Sequence, residues 1–525
     1  MADIEKAHDY HIDPELEKKV PPAYADAIRR GSVPEEILKH SHDADEALKA
    51  VQLHEGQVLV LDEATNKRIL RRIDYNLLPV MCVVYGLNFL DKVSISYAAI
   101  MGLEKDIGLK GNEYEWLGSM FYFGYIAWEY PTNRLLQRLP IGKYSAGCVI
   151  AWGAVLTCFA GVTDFGGAVA VRFFLGVCES AVTPGFALIT SQWYTKKEQG
   201  TRTGIWFSFN GFAQIFGGLV AYGIAKGVNK DGASLAGWQI IFLTIGLLTM
   251  SIGIIFLFVV PDNQLNARWL SEEDRYLAIE RIRVNQQGVG NKHFKWYQFR
   301  EALTDPLTWA IVFYALVADI PNGGITNFFA QLIEGFGYTE EQSLLYAAPA
   351  GAVEVVTLVA GGFLGDRYGN RLLVSTFGLV TGITGVALIV GLPLGNDKGR
   401  LAGYYLYNAV AMPFVALLAH ISSNIAGYTK KTTVAALYLI GYCVGNIIGP
   451  QVFRPQDAPR YIPAVITILC CLSVCLLDIL FIYCYCRMQN KKKAAMRAEP
   501  GYVKLENQEF LDLTDRENPE FTYTL

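Results

Sequence analysis

Charged side chains are scarce in this chain of 525 residues. Only 18% of the residues are Asp, Glu, Lys or Arg, whereas soluble domains carry closer to a quarter. Most of the charges crowd into residues 1–74, 262–306 and 487–525, which leaves long apolar blocks between them. An apolar run of about 20 residues spans the hydrocarbon core of a bilayer as a helix. The charge pattern therefore excludes a soluble globular protein and predicts a multi-pass membrane protein.

Catalytic and nucleotide-binding motifs are also missing. The sequence has no P-loop GxxxxGK[ST], no GxGxxG after a strand, no HExxH and no GxSxG. Its ten cysteines form no zinc-like pair of CxxC motifs, and no domain is basic enough for nucleic acid. We therefore predict no enzyme activity, no metal, no cofactor and no nucleic-acid partner. Any transport is expected not to be driven directly by ATP.

The N-terminus lacks the apolar core of a signal peptide. Residues 1–65 are rich in Asp, Glu, Lys and His, which is typical of a disordered tail. Lys and Arg recur in alternate short loops, as at Lys196 and Lys197 or at Lys430 and Lys431. Because such loops face the cytosol, we predict that both termini are cytosolic, with the plasma membrane as the location.

An even number of crossing helices is required by this orientation, and twelve apolar segments are long enough to cross. They lie near 77–98, 115–134, 144–162, 167–191, 203–225, 238–260, 307–330, 342–364, 372–394, 401–420, 432–453 and 461–486. The predicted fold class is an all-α membrane protein.

A long polar break separates the sixth and seventh spans. Ser271 and Asp274 resemble a helix capping box, so a short surface helix is expected there. The break divides the chain into two sets of six helices. The predicted organisation is a cytosolic tail over 1–73, a six-helix bundle over 74–262, a cytosolic linker over 263–305, a second six-helix bundle over 306–488 and a cytosolic tail over 489–525.

Residues 362–371 follow the eighth span and read Gly-Phe-Leu-Gly-Asp-Arg-Tyr-Gly-Asn-Arg. This segment resembles the loop signature G-x-x-x-D-R-x-G-x-R of the major facilitator superfamily. The matching loop of the first half has cations but no Asp beside the Arg. The resemblance implies two six-helix bundles, transport by alternating access and a gating role for both loops. The gating residues it implies are Gly362, Asp366, Arg367, Gly369, Arg371, Arg138 and Lys143.

Two further motifs resemble the anion:cation symporter family within that superfamily. The fourth span reads R-x-x-x-G-x-x-E from Arg172 to Glu179, and the first span reads Lys92-Val-Ser-Ile-Ser-Tyr-Ala98, with Lys where that family has Arg. Residues 322–327 (NGGITN) and 445–451 (GNIIGPQ) are similar to the fungal allantoate permease branch. The resemblance implies proton-coupled import of allantoate, ureidosuccinate, nicotinate or a related carboxylate.

The fourth span carries an Arg and a Glu where charge is costly. Arg172 and Glu179 are seven positions apart, so they lie on one helix face about 10 Å apart. An Arg holds a carboxylate through two parallel hydrogen bonds and stays charged, whereas a buried Glu can bind and release a proton. We predict these roles for the pair; the alternative is a structural ion network that ties the fourth helix to a neighbour.

Other polar residues inside the spans are secondary candidates. Lys92 is a second anion contact, a partner of Glu179, or a lysine whose charge reaches the membrane interface. The seventh span is expected to be interrupted around Pro321, as a flexible gate or a plain kink. The further substrate-binding candidates are Asn322, Asn327 and Asn446, and the further proton-coupling candidates are Asp91, Asp319 and Glu354.

Three functions remain open at this point. The first is a proton-coupled importer of an organic anion, working as a monomer with the anion, protons and lipid as its partners. The second is an exporter or an intracellular carrier with the same fold. The third is a nutrient receptor that binds its ligand without transporting it.

Overall fold

The computed structural model describes residues 62–286, 294–393, 395–499 and 513–525. The predicted disordered tail over residues 1–65 lies almost wholly outside the described residues. All regular structure in the described ranges is helical.

Within the described ranges, twelve long helices build the bundle. They are α1 Glu63–Ile100, α2 Glu113–Arg138, α3 Ile141–Phe159, α4 Phe165–Glu179 continued by Val182–Trp193, α5 Lys196–Asp231, α6 Gly237–Val259, α7 Pro306–Glu334, α8 Glu340–Tyr368, α9 Arg371–Gly391, α10 Asp397–Tyr407 continued by Ala411–Asn424, α11 Tyr428–Val452 and α12 Ile462–Arg497. Ten of them are long and apolar enough to cross a membrane. The other two, α2 and α5, pack against α11 and α8 between the halves, where a helix need not be apolar on all sides. The predicted all-α fold of twelve helices is confirmed.

The helices form two halves, α1–α6 and α7–α12. In the first half α3 packs on α6 and α1 on α5, and in the second α7 packs on α11 and α9 on α12. The halves meet where α1, α2 and α5 contact α7, α11 and α8. Because twelve crossings return the chain to its starting side, Asp62 and residues 513–525 lie on one face, here called the tail face.

Helix α7 runs without interruption from Pro306 to Glu334. The interruption expected around Pro321 is therefore wrong, whereas a plain kink of the helix stays a prediction. The glycines that follow it serve close packing instead, because a Cβ on Gly323 would lie 2.7 Å from the carbonyl oxygen of Asn446 in α11. Small residues at such crossings let two helix backbones approach closely in a bilayer.

The crossing of α5 and α8 between the halves is equally tight. A Cβ on Gly211 would lie 2.5 Å from the carbonyl oxygen of Gly351, and a Cβ on Gly351 would clash with the carbonyl oxygen of Gly211. The contact is between two backbones, so neither side can move a side chain away. The halves therefore depend on these two glycines to approach at mid-bundle.

Replacing Gly351 with alanine should destabilise the protein by about 1–3 kcal/mol, the usual cost of overpacking. Thermal unfolding of the purified protein in detergent measures the change. Gly223→Ala on α5 is the matched control, because nothing lies within 4 Å of its added Cβ. The control should be neutral or slightly stabilising, since Ala favours a helix over Gly. Equal losses in both variants would show that the crossing is not tight.

The described residues of the polar stretch between the halves include two short helices, Glu272–Gln286 and Trp296–Thr304. The first begins where the capping pattern predicts, since the Asp274 amide donates to the Ser271 hydroxyl oxygen at 3.2 Å. It docks on the first half through Asp274, whose carboxylate accepts from Arg68 and Arg72 at 2.7 and 2.6 Å. The second helix docks on the second half. Each half thus holds its own part of the linker.

The C-terminal segment 513–525 packs on the tail face of the second half. Lys430, at the start of α11, is fully buried and lies 2.9 Å from Glu301, 2.6 Å from Asp305 and 2.8 Å from Asp515. Tyr523 donates to the Asp515 carboxylate at 2.7 Å. Burial and, after it, the charge of Asp515 raise the pKa of Tyr523 well above its ordinary value. Its hydroxyl therefore remains a donor, and the segment is held by buried charge.

Replacing Lys430 with methionine should unfold or strongly destabilise this region. The change leaves three carboxylates close together without their cation, and breaking a buried pair costs about 3–5 kcal/mol. We expect a lower melting temperature and faster proteolysis within 513–525. Arg454→Met is the control, because Arg454 pairs with Asp457 at an exposed site, where such pairs contribute about 0–1 kcal/mol. A segment that stays protected in Lys430→Met would contradict the assignment.

Candidate substrate cavity and proton-coupling cluster

A cavity of about 220 Å³ lies between the two halves. Its walls come from α1, α2, α4 and α5 on one side and from α7, α8, α10 and α11 on the other. Aromatic rings supply much of the surface, and amide or charged groups are set among them. Those groups are Asn88, Lys92, Asn210, Gln214, Asp319, Asn322, Glu354 and Asn408. Among the described residues, Lys92 is the cation on this wall, so an anion entering the cavity meets its charge there.

Hydrogen bonds between the halves close the cavity on the face opposite the tail face. Tyr114 donates to the carbonyl oxygen of Asn327, and Ser119 to that of Ile447, each at 2.7 Å. Gln331 donates to Glu104 at 2.7 Å. Burial raises the pKa of Glu104, while the bond from Gln331 lowers it. The cavity is therefore sealed on that face by α1, α2, α7 and α11 together with the short helix Leu103–Asp106.

Lys92 is tied to the α4 glutamate through one asparagine. The Lys92 ammonium donates to the Asn88 side-chain oxygen at 3.0 Å, and Asn88 donates to Glu179 at 2.5 Å. The ammonium nitrogen is also 3.8 Å from the Glu179 carboxylate. Since Asn88 precedes Lys92 by one helical turn, both point to the same neighbour. Asn88 was not predicted from the sequence, although an amide one turn from a lysine inside a span is a usable signal.

Asp91 points away from the cavity, as expected for a residue adjacent to Lys92. It is fully buried, and the Trp152 indole donates to one of its oxygens at 2.6 Å. Its carboxyl group is within hydrogen-bonding reach of Glu179. One oxygen of each acid has no hydrogen-bond partner among the described residues. The two carboxyl groups thus form a buried pair behind the cavity wall.

Arg172 does not line the cavity. It is 2% exposed, and its Nε donates to the Leu117 carbonyl oxygen of α2 at 3.2 Å. The guanidinium carbon lies 5.7 Å from the ring centre of Phe121, and the Lys92 ammonium lies 5.6 Å from the same ring. Asp91 and Glu179 act on it electrostatically. In this conformation Arg172 is placed as a counter-charge to the acid pair rather than in contact with the cavity.

The second half contributes its own polar network. Asn446 donates to Asp319 at 3.1 Å and accepts from Asn322 at 3.0 Å. Asp319 and Asn322 line the cavity, and Asn446 is buried behind them. Asn327 does not line it; its side chain donates to the Gly323 carbonyl oxygen at 2.7 Å, next to the seal. Asn322 is therefore the α7 amide that faces a ligand.

The residues expected to gate transport lie on the tail face, away from the cavity. Gly369 ends α8 with φ +65, a left-handed conformation that favours glycine. The Arg371 amide donates to the Leu525 carbonyl oxygen, and Lys143 pairs with Asp262 at 3.4 Å. Gly362 has open space around it, and Arg138 and Arg367 are exposed. The side chain of Asp366 lies outside the described part of the chain.

Comparison with known proteins agrees with this architecture. Residues 81–450 match the family model of the Major Facilitator Superfamily. An uncharacterized transporter of Schizosaccharomyces pombe is 44% identical over 89% of this chain and 91% of its own length. The allantoate permease of Saccharomyces cerevisiae is 36% identical over 93% of this chain and 92% of its own length. The thiamine pathway transporter THI73 of the same yeast is 33% identical over 97% of this chain and 98% of its own length.

A solved structure shows the same fold. It is a bacterial homologue of the human lysosomal transporter Spinster in an inward-facing, unoccupied conformation. The TM-score is 0.55 at 17% identity, and the match covers 80% of this chain and 96% of that one. The resemblance found in the sequence motifs is confirmed by these matches. The chain therefore belongs to the major facilitator superfamily, as a twelve-helix secondary transporter of the membrane.

Proposed function

We propose that this protein imports a small organic carboxylate together with protons. The observation that carries the proposal is Lys92, which faces the cavity and lies 3.8 Å from Glu179. A carboxylate substrate and the Glu179 carboxylate would compete for the same ammonium group. Binding of the anion is therefore favoured when Glu179 is protonated, which links substrate to proton.

Charge balance supports the same coupling. Asp91 and Glu179 supply two negative charges, while Lys92 and Arg172 supply two positive charges in the same buried region. An anion added to this balanced set would leave a net charge inside the membrane, which costs several kcal/mol. A proton taken up by one acid removes that charge. Two carboxyl groups within hydrogen-bonding reach can share the proton, because a protonated carboxyl is a donor.

Alternating access would convert this coupling into uptake. The seal on the face opposite the tail face must open to admit substrate and proton, and the tail face must close. The loops around Asp366, Arg367 and Arg371, and around Arg138 and Lys143, are proposed to hold the tail face together in that state. We further propose that both chain ends are cytosolic, that the protein resides in the plasma membrane, and that it works as a monomer.

The substrate proposed first is allantoate, on which the Saccharomyces cerevisiae relative acts by name; ureidosuccinate, nicotinate and related carboxylates are the next candidates. Uptake of labelled allantoate by the purified protein in proteoliposomes tests the proposal. The solution outside the vesicles is made more acidic than the interior, so that protons are driven inward. We expect accumulation that stops when a protonophore collapses the gradient. Binding without flux would indicate the receptor, and net efflux from intact cells would indicate an exporter.

A further inference from the structure

We propose that Glu354 binds an N–H donor at the end of the substrate remote from its carboxylate, so that the substrate is an organic anion that also bears a urea or amide group. The inference rests on the proposed function, because it takes Lys92 as the site of the carboxylate. The sequence alone makes Glu354 a proton-coupling candidate.

Glu354 has a carboxylate that faces the cavity and accepts no hydrogen bond from the described residues. It lies within α8, is only 7% exposed and lines the cavity. Among the described residues, no side chain or main-chain group donates a hydrogen bond to its carboxylate. Asp319, on the same side of the cavity, accepts from Asn446 at 3.1 Å through one oxygen, and among the described residues only its other oxygen has no donor. Glu354 therefore has acceptor capacity that the protein leaves free.

A buried carboxylate without donors is costly, since buried polar groups are nearly always paired. A ligand with N–H groups would supply the missing donors, and each hydrogen bond to a charged group is among the stronger ones. A purely carboxylate ligand would instead place a second negative charge near Glu354. The second-half wall thus favours a donor, whereas the first-half wall, at Lys92, favours an anion.

The two groups belong to different halves, Lys92 to α1 and Glu354 to α8. A dipolar ligand that satisfies both would bridge the halves, and it would bind each of them through its own end. An acid that lacks the N–H end would reach only Lys92. A site built to hydrogen-bond a substrate group discriminates strongly against an analogue without it.

Two acids of the same length and shape isolate the N–H group. In 3-ureidopropionate the carbonyl is flanked by N–H groups; in 5-oxohexanoate the same positions hold CH₂ and CH₃, and the carboxylate is unchanged. Equilibrium binding to the purified protein in detergent should favour 3-ureidopropionate by about tenfold or more, the range of hydrogen bonds to a charged group. Glu354→Gln and Glu354→Ala should reduce that preference to less than about threefold, mainly by weakening 3-ureidopropionate.

Variants separate this inference from its rivals. Lys92→Met should weaken both acids by a similar factor and leave their ratio in place. Glu273→Gln, at an exposed position of the linker helix Glu272–Gln286, should change nothing. If the wild-type protein binds the two acids equally, or binds neither, the inference fails. The proposed transport of a carboxylate is tested separately, by the uptake assay with allantoate. If Glu354→Gln keeps the preference and alters only the pH dependence of uptake, Glu354 is a proton site and the inference is overturned.

Discussion

Replacing Lys92 with methionine should abolish accumulation of the organic anion. The substitution removes the ammonium group from the cavity wall and leaves Glu179 without its nearest cation. A bound anion that loses its buried, hydrogen-bonded cation loses about 2–5 kcal/mol of binding free energy, which corresponds to a loss of affinity of about thirtyfold or more. Equilibrium binding should therefore weaken by that factor, and proton-driven uptake in proteoliposomes should fall to background.

Two variants decide whether the loss comes from the site. Lys226→Met removes an exposed lysine of α5 whose ammonium group, within the described part of the chain, contacts Tyr222, and it should transport normally. Lys92→Arg keeps a cation at this position and gives the residue of the symporter motif that the first span resembles. It should therefore retain part of the uptake that Lys92→Met loses. If Lys92→Met folds as wild type does and still accumulates the anion, the anion site lies elsewhere, and Arg172 in another conformation becomes the first alternative.

Replacing Glu179 with glutamine should separate proton coupling from substrate movement. The amide keeps the size of the side chain and can still contact Asn88, but it no longer exchanges a proton with water. A proton-coupled transporter without substrate must release its proton before it changes back to the outward-open conformation, and the Glu179→Gln variant cannot do so. With substrate bound, the variant can still change between the two conformations. We expect gradient-driven uptake to fall to background and exchange of internal for external substrate to persist.

Paired uptake and counterflow assays on the same vesicles measure this separation. Glu273→Gln serves as the control, because Glu273 is exposed on the linker helix Glu272–Gln286, and it should retain both activities. Accumulation against a gradient by Glu179→Gln would assign the coupling proton to another acid. Asp91 would then be the first candidate, since it lies within reach of Glu179 and is fully buried.

The roles of Arg172 and Lys92 illustrate where reasoning from the sequence ends. Their helices and the face shared by Arg172 and Glu179 follow from a period of 3.6 residues. That period does not say which neighbour the face meets. Packing of α4 against α2 directs Arg172 toward the Leu117 carbonyl and the Phe121 ring, so Lys92 is left as the cation that a ligand can reach.

The sequence by itself determined the twelve helices, the two halves, the capped linker helix and the family, because each depends on local properties. Apolar length, capping residues and motif spacing are all read within about 30 residues. It also marked the charges inside the spans as exceptional, since a bilayer makes them costly.

Only the tertiary structure decided which of them meet. Asn88 reaches Glu179 across 91 positions, and Asn446 reaches Asp319 across 127. Pro321 and its glycines looked like a break, but α11 packs against them and α7 stays continuous. Such contacts depend on how helices cross, and a single chain's local pattern does not encode the crossing.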